Sequence, residues 1–222
     1  VYELEYAYEQ SNDLNGYRVL RMAGKGVINT EPDVAQVTLT VVTRGETLST
    51  SQSTNAKTMD QVIDQLIEIG LSTEQIRTVS YTIYPQYQYV GGEQQFIGYE
   101  VRNSIQVTIY DIGLVGEVVD EAVRNGVNEV SGLSFSVKDP QAVYRSALQE
   151  ALEDAVLKAM SLTSAMQVTL DPTPIEINEQ GAFSDPITPY TLTLEQSPTL
   201  TPIEPGMIEV EANLIAKFHY YS

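Results

Sequence analysis

Residues 98–126 read GYEVRNSIQVTIYDIGLVGEVVDEAVRNG, and their hydrophobic period changes at the middle. Up to Asp111, the residues Ile97, Tyr99, Val101, Asn103, Ile105, Val107 and Ile109 alternate with Glu100, Arg102, Ser104, Gln106 and Thr108. That two-residue period belongs to a strand with one buried face. Past Asp111 the apolar positions are Leu114, Val115, Val118, Val119, Ala122 and Val123, which is the spacing of one helical face. Asp111 stands where an N-cap is favoured and Gly126 where a helix stops.

Working upstream, Gly91-Gly92 turns the chain between this strand and an earlier one from Ile76 to about Tyr89, a predicted β-hairpin. Ala56, Met59, Val62, Ile63, Leu66 and Ile69 form the core stripe of a helix predicted over about Thr47 to Ile69, ended by Gly70. Strands are predicted from Tyr17 to Val27 and from Ala35 to about Thr43, with a turn at Glu31-Pro32-Asp33 between them. Downstream come a strand around Val130 to Val137 and a long helix from Pro140 to about Met166. Val143, Ala147, Ala151, Ala155 and Ala159 give that helix a ridge of mostly small side chains. Such a ridge admits another backbone at close range, either a sheet beneath it or a helix of another subunit. Pro172 and Pro174 split a strand between Val168 and Ile177 or confine it to an edge, and Met207 to Tyr220 alternates cleanly as a last strand.

Two strand–helix–strand units, 35–89 and 97–137, are therefore followed by a third long helix and a C-terminal strand. The expected fold class is α+β, a mixed β-sheet with the helices packed on one sheet face. Residues 1–16 are expected to be a flexible leader. Residues 17–222 are expected to be a single domain with a Pro/Thr-rich excursion at about 171–206.

The chain of 222 residues carries 30 acidic and 12 basic side chains, a net charge of −18. That balance argues against nucleic acid or an anionic lipid surface as partner. No cysteine is present, which removes disulfides, thiolate nucleophiles and zinc–thiolate sites. No apolar run approaches the ~20 residues of a membrane span. A start at Val1 rather than methionine fits a signal peptide already removed.

Several segments, taken in order, resemble the SIMPL-domain family. Gly24-Lys25-Gly26-Val27 followed by Glu31-Pro32-Asp33-Val34-Ala35 is similar to its opening signature. Asn55-Ala56 with Met59, then Gly70, resemble its first helix and stop; Ile76-Arg77-Thr78 with Pro85 and Tyr87 resembles the next strand. Gly98-Tyr99 and Asn103 match the central motif, and Gly116, Asp120, Gly126 and Asn128 the second helix and following turn. Phe135, Ala147, Ala151, Asp154, Ala155, Lys158 and Ala159 resemble the third helix region, and residues 201–206 (TPIEPG) the approach to the last strand. The resemblance spans about Arg21 to Tyr220. It implies an exported protein of the periplasm or cell envelope that assembles as a homo-oligomer. A protective or scaffolding role associated with oxidative stress is implied too. The family carries no established catalytic set.

The residues themselves offer no catalytic constellation, so catalytic, cofactor-binding and metal residues are all expected to be none. His219 is the single histidine and falls on the polar side of the last strand. Gly24-Lys25-Gly26 lacks the third glycine of a phosphate loop, because position 29 is Asn. Asn12-Asp13-Leu14-Asn15-Gly16 spaces oxygen ligands like half a calcium loop but lacks the closing glutamate. Asp154 and Lys158, four apart, read as an exposed ion pair. The candidate interface is the aromatic hairpin: Tyr81, Tyr84, Tyr87, Tyr89, Phe96 and Tyr99. Tyrosine joins apolar area to a polar tip, which suits a protein contact. The expected function is that of a non-enzymatic, self-assembling envelope protein. The alternative is a monomeric module that binds a ligand or a protein partner at this hairpin.

Overall fold

A computed structural model describes residues 18–181, 188–189 and 203–221. The expected leader and the Asn12–Gly16 loop lie outside the described residues. In chain order the elements are β1 (Arg18–Thr30), β2 (Val34–Gly45), α1 (Leu48–Glu68), β3 (Ile76–Val90), β4 (Glu93–Ile109) and α2 (Val115–Arg124). β5 (Glu129–Ser136), α3 (Pro140–Ala165), β6 (Thr169–Leu170), β7 (Glu176–Gln180), β8 (Thr188–Pro189) and β9 (Ile208–Tyr221) follow. The class is α+β, as the periodicities require. They form two compact units, one holding β1, α3, β6, β7 and β9, the other β2 to β5 with α1, α2 and β8.

The second unit is a five-stranded sheet in the order β3-β4-β2-β5-β8. A mixed sheet was the expectation, yet β2–β4, β2–β5, β3–β4 and β5–β8 all pair antiparallel. The reason is that each helical crossover skips a strand. β2 and β3 run the same way but flank β4, and β4 and β5 run the same way but flank β2. This is the split β-α-β arrangement, repeated once. α1 and α2 cover one face. Val62 and Leu66 of α1 and Val118 and Ala122 of α2 are fully buried among Val37, Leu39, Ile105 and Val107. Each buried Val or Leu stabilises the fold by roughly 1.5–3 kcal/mol.

Local chemistry sets the ends of these elements. The Thr47 hydroxyl accepts from Thr50 N at 3.3 Å and starts α1 despite its Ser/Thr-rich first half. Buried Asn55 anchors that half, donating from Nδ2 to Val41 O at 2.9 Å and Val101 O at 3.2 Å. Asp111 caps a single 3₁₀ turn, Ile112–Leu114, that precedes α2, so the helix itself begins at Val115, three residues later than a cap at Asp111 implied. The Asn128 amide replaces a strand partner for β2, accepting from Val42 N at 2.9 Å and donating to Val42 O at 2.8 Å.

In the first unit, β1, β9 and β6 lie side by side and β7 also pairs with β9. Pro172 and Pro174 do split the predicted strand, into β6 and β7, both antiparallel to β9. Ile208, Val210, Ala212, Leu214, Ala216 and Phe218 are buried along β9, as its alternation predicts. The alanine ridge of α3 packs on this sheet at very short range. A Cβ placed on Gly24 would stand 1.9 Å from Ala151 O, and one on Gly26 2.0 Å from Ala147 O. The glycines and the alanines are therefore two halves of one contact between backbones.

The same helix guards the outer edge of β1. Val27 N donates to Glu150 Oε2 at 3.1 Å and Lys25 N to Asp154 Oδ2 at 2.9 Å, while Lys158 Nζ donates to Ala23 O at 3.2 Å. Side chains four residues apart on α3 thus stand in for a neighbouring strand.

Candidate functional site

β3 and β4 form the longest hairpin among the described residues, and β3 is one end strand of its sheet. Its turn, Gly91-Gly92, has φ of +62° and +91°, which glycine adopts without steric cost. From Ser80 the parity of β3 places Tyr81, Ile83, Tyr87 and Tyr89 on the side of the sheet that carries the helices. There Tyr81 pairs across with Asn103 and Ile83 with buried Val101.

On β4 strict alternation is broken. The register shifts between Gln86 and Tyr87, so that Gln86 faces Gly98 while Tyr87 faces Phe96, and Ile97 is the extra residue. Ile97 was expected on the Tyr99 side. The bulge gives that side to Phe96 instead. Gly98 makes this possible: its φ is +142°, and a Cβ there would meet Gly45 O at 2.4 Å. Phe96 consequently meets Tyr87 edge-on with ring centroids 5.8 Å apart, and Tyr99 at 5.1 Å.

The structure thus brings Tyr87, Phe96 and Tyr99 into ring contact and aligns Tyr81 and Tyr89 with them. It places Tyr84 on the opposite side, across from Glu100. Tyr89 is 75% exposed, and Tyr81, Tyr84, Tyr87 and Phe96 are each about half exposed, whereas Tyr99 is half-buried. Val90 beside the turn and Ile97 at the bulge add exposed apolar surface. A hollow of about 300 Å³ lies at the root of the hairpin, lined by Arg44, Gly45, Gln86, Ile97, Gly98 and Tyr99.

On the Tyr84 side, a charged network escaped the sequence reading. The buried carboxylate of Glu100 accepts from Arg44 Nε at 2.8 Å and Arg44 Nη2 at 2.7 Å, and pairs with Arg102, which also holds Glu129. Burial pushes the Glu100 carboxyl up, but the hydrogen bonds from Arg44 and Arg102 outweigh it and hold its pKa below the ordinary value. Alternation put Glu100 and Arg102 on the solvent side, and Arg44 lies beyond the predicted end of its strand. Only the register of β2 against β4, Arg44 opposite Glu100, shows that they meet.

The other sequence candidates take structural places. Gly24 and Gly26 serve helix packing. His219 is half-buried on β9, and the Asp154–Lys158 pair, 2.6 Å apart, guards the β1 edge. A polar hollow of about 590 Å³, lined in part by Thr58, Gln61, Asp64 and Arg124, lies between α1 and the end of α2. Among the described residues no three His, Cys, Asp or Glu side chains cluster as a metal site would require. Nor, among the described residues, is any helix long and apolar enough to cross a membrane.

The sequence of this chain is similar to those of known proteins. A family model described as SIMPL, a protein of unknown function (DUF541), matches residues 20–218. The chain is 28% identical over 205 residues to the "26 kDa periplasmic immunogenic protein" of Brucella melitensis, covering 90% of this chain and 80% of that protein. It is 23% identical over 163 residues to the "Uncharacterized protein YggE" of Escherichia coli K12, covering 73% and 66% respectively. YggE of Edwardsiella ictaluri is 25% identical over 151 residues, covering 68% and 63%.

Proposed function

This chain belongs to the SIMPL family, and we propose on that footing that it works by binding rather than catalysis. It is a self-assembling protein of the periplasm or cell envelope, with a protective or scaffolding role, whose β3–β4 hairpin forms the subunit contact. The periplasmic address is supported by the name of the Brucella relative, and the oxidative-stress association by family resemblance. One observation carries the contact: Tyr81, Tyr87, Tyr89 and Phe96 are exposed on one side of an end-of-sheet hairpin. Aromatic side chains anchor protein interfaces because they bury large areas at little entropic cost.

Light scattering at several concentrations and two salt levels tests this reading. A stable mass well above one chain is expected, and Tyr87→Glu or Tyr89→Glu should reduce it to one chain. A strict monomer would sink self-assembly. The hollow beside Tyr99 favours a second reading, a monomer that holds a ligand or protein partner at the hairpin root. Under that reading the same variants keep their mass and lose binding.

A further inference from the structure

The end strands β1 and β3 differ in how their outer edges are treated. Three side chains of α3 occupy the outer edge of β1, at Ala23, Lys25 and Val27. Among the described residues, nothing comparable stands beyond β3, although it is fifteen residues long. An open strand edge of that length is a template for an added strand. Pro85 fixes which groups it offers. A proline in a paired strand turns its nitrogen away from the ladder, so residues of its parity, including Tyr81, Ile83, Tyr87 and Tyr89, present backbone N–H and C=O outward.

The two faces beside that edge are chemically distinct. One carries Tyr81, Tyr87 and Tyr89. The other carries Tyr84 and Arg77, which donates to Gln106, together with Arg102 and Arg44 around Glu100. Three of the 12 basic residues of a chain of charge −18 therefore share one face of this sheet.

The amino-terminal sequence carries the matching pattern. Residues 1–9 read VYELEYAYE: Tyr2, Leu4, Tyr6 and Tyr8 have one parity, and Glu3, Glu5, Ala7 and Glu9 the other. Nine extended residues reach about 30 Å, enough to run beside most of β3 from Ser80 to Val90. We propose that the outer edge of β3 accepts residues 1–9 of a second copy as an added strand. Tyr2, Leu4, Tyr6 and Tyr8 then extend the aromatic side, and the glutamates meet the arginine side. The proposal rests on the reading of the hairpin as the subunit contact and names what fills it. The contact is heterologous, since each copy gives a leader and receives one.

A chain without cysteine allows a direct test. Full-length Ala7→Cys is mixed with full-length, tagged Gln88→Cys and treated with a short bis-maleimide, beside a control in which Glu153→Cys on α3 replaces Gln88→Cys. A mixed two-chain product is expected with Gln88→Cys and not with Glu153→Cys, and Tyr6→Glu with Tyr8→Glu in the leader should abolish it. Equal product at both positions would overturn the proposal. So would cross-linking within a single chain carrying both Ala7→Cys and Gln88→Cys, with none between mixed chains. Absence of product while the unsubstituted chain keeps a mass above one chain refutes the leader alone and leaves the hairpin contact standing. A mass of one chain at every concentration removes both.

Discussion

Replacing Gly24 with alanine measures how tightly α3 lies on β1. The new Cβ would stand 1.9 Å from Ala151 O, 2.9 Å from Ala151 C and 3.0 Å from Ala155 Cβ. The first two are backbone atoms, so no rotamer change relieves the contact and the helix itself must retreat by more than about 1 Å. Overpacking of this kind costs about 1–3 kcal/mol. Retreat also loosens the hydrogen bonds of Lys25 N and Val27 N to Asp154 and Glu150, which adds about 1 kcal/mol after allowance for their exposure. A loss of about 3 kcal/mol corresponds to a fall in Tm of roughly 6–12 °C for a chain of this size. Urea unfolding followed by circular dichroism reads it, with Gly206→Ala as control, since a Cβ there meets nothing within 4 Å. The control should stay within about 0.5 kcal/mol of the parent. A Gly24→Ala chain equally close to the parent would refute the close-packing argument.

Acid should weaken the first unit. The Asp154 carboxyl lies below its ordinary pKa because Lys158 hydrogen-bonds it and the Lys25 amide adds to this, and Glu211 is lowered chiefly by the hydrogen bond from Lys25. A carboxyl whose pKa is lower in the folded chain binds fewer protons there. Its stabilisation is complete above the unfolded value and disappears as pH falls below about 4. The urea midpoint should therefore drop between pH 6 and pH 3, and drop less in Asp154→Asn; an unchanged slope would contradict the assignment. In the second unit, Asn55→Ala should cost about 2–3 kcal/mol, because it leaves the carbonyls of Val41 and Val101 without the Asn55 amide. Asn55→Gln, with the same amide on a longer stem, should not restore the midpoint.

Element identity was legible in the chain because burial is one-sided here. β9 alternates from Ile208 to Phe218, and α1 and α2 follow the helical period, so the α+β class follows from those residues. Strand neighbours were less legible. Nothing in the spacing of β2, α1 and β3 says that β4 will enter between the two strands, and that insertion makes the expected mixed sheet antiparallel. The aromatic hairpin was visible as composition, but the bulge at Ile97 was not. Deciding which side Phe96 takes required Gly98 and its approach to Gly45. Likewise the Asp154–Lys158 pair was apparent from its four-residue spacing, while its hold on the β1 edge joins residues more than a hundred positions apart.

β1 and β9 come from opposite ends of the described chain and lie together in one sheet. During synthesis this separates the two units in time. Residues 30–138, which hold β2 to β5 and both of their helices, are complete while β1 still waits for a neighbour that emerges after them. Until then its inner edge is bare, while α3 can already occupy the outer one. A protein stalled or cut before Ile208 would keep its larger sheet and lose the smaller one, leaving Gly24 and Gly26 without the strand that holds β1 beneath α3. Limited digestion of such a fragment should therefore spare residues 30–138 and clear β1 and α3.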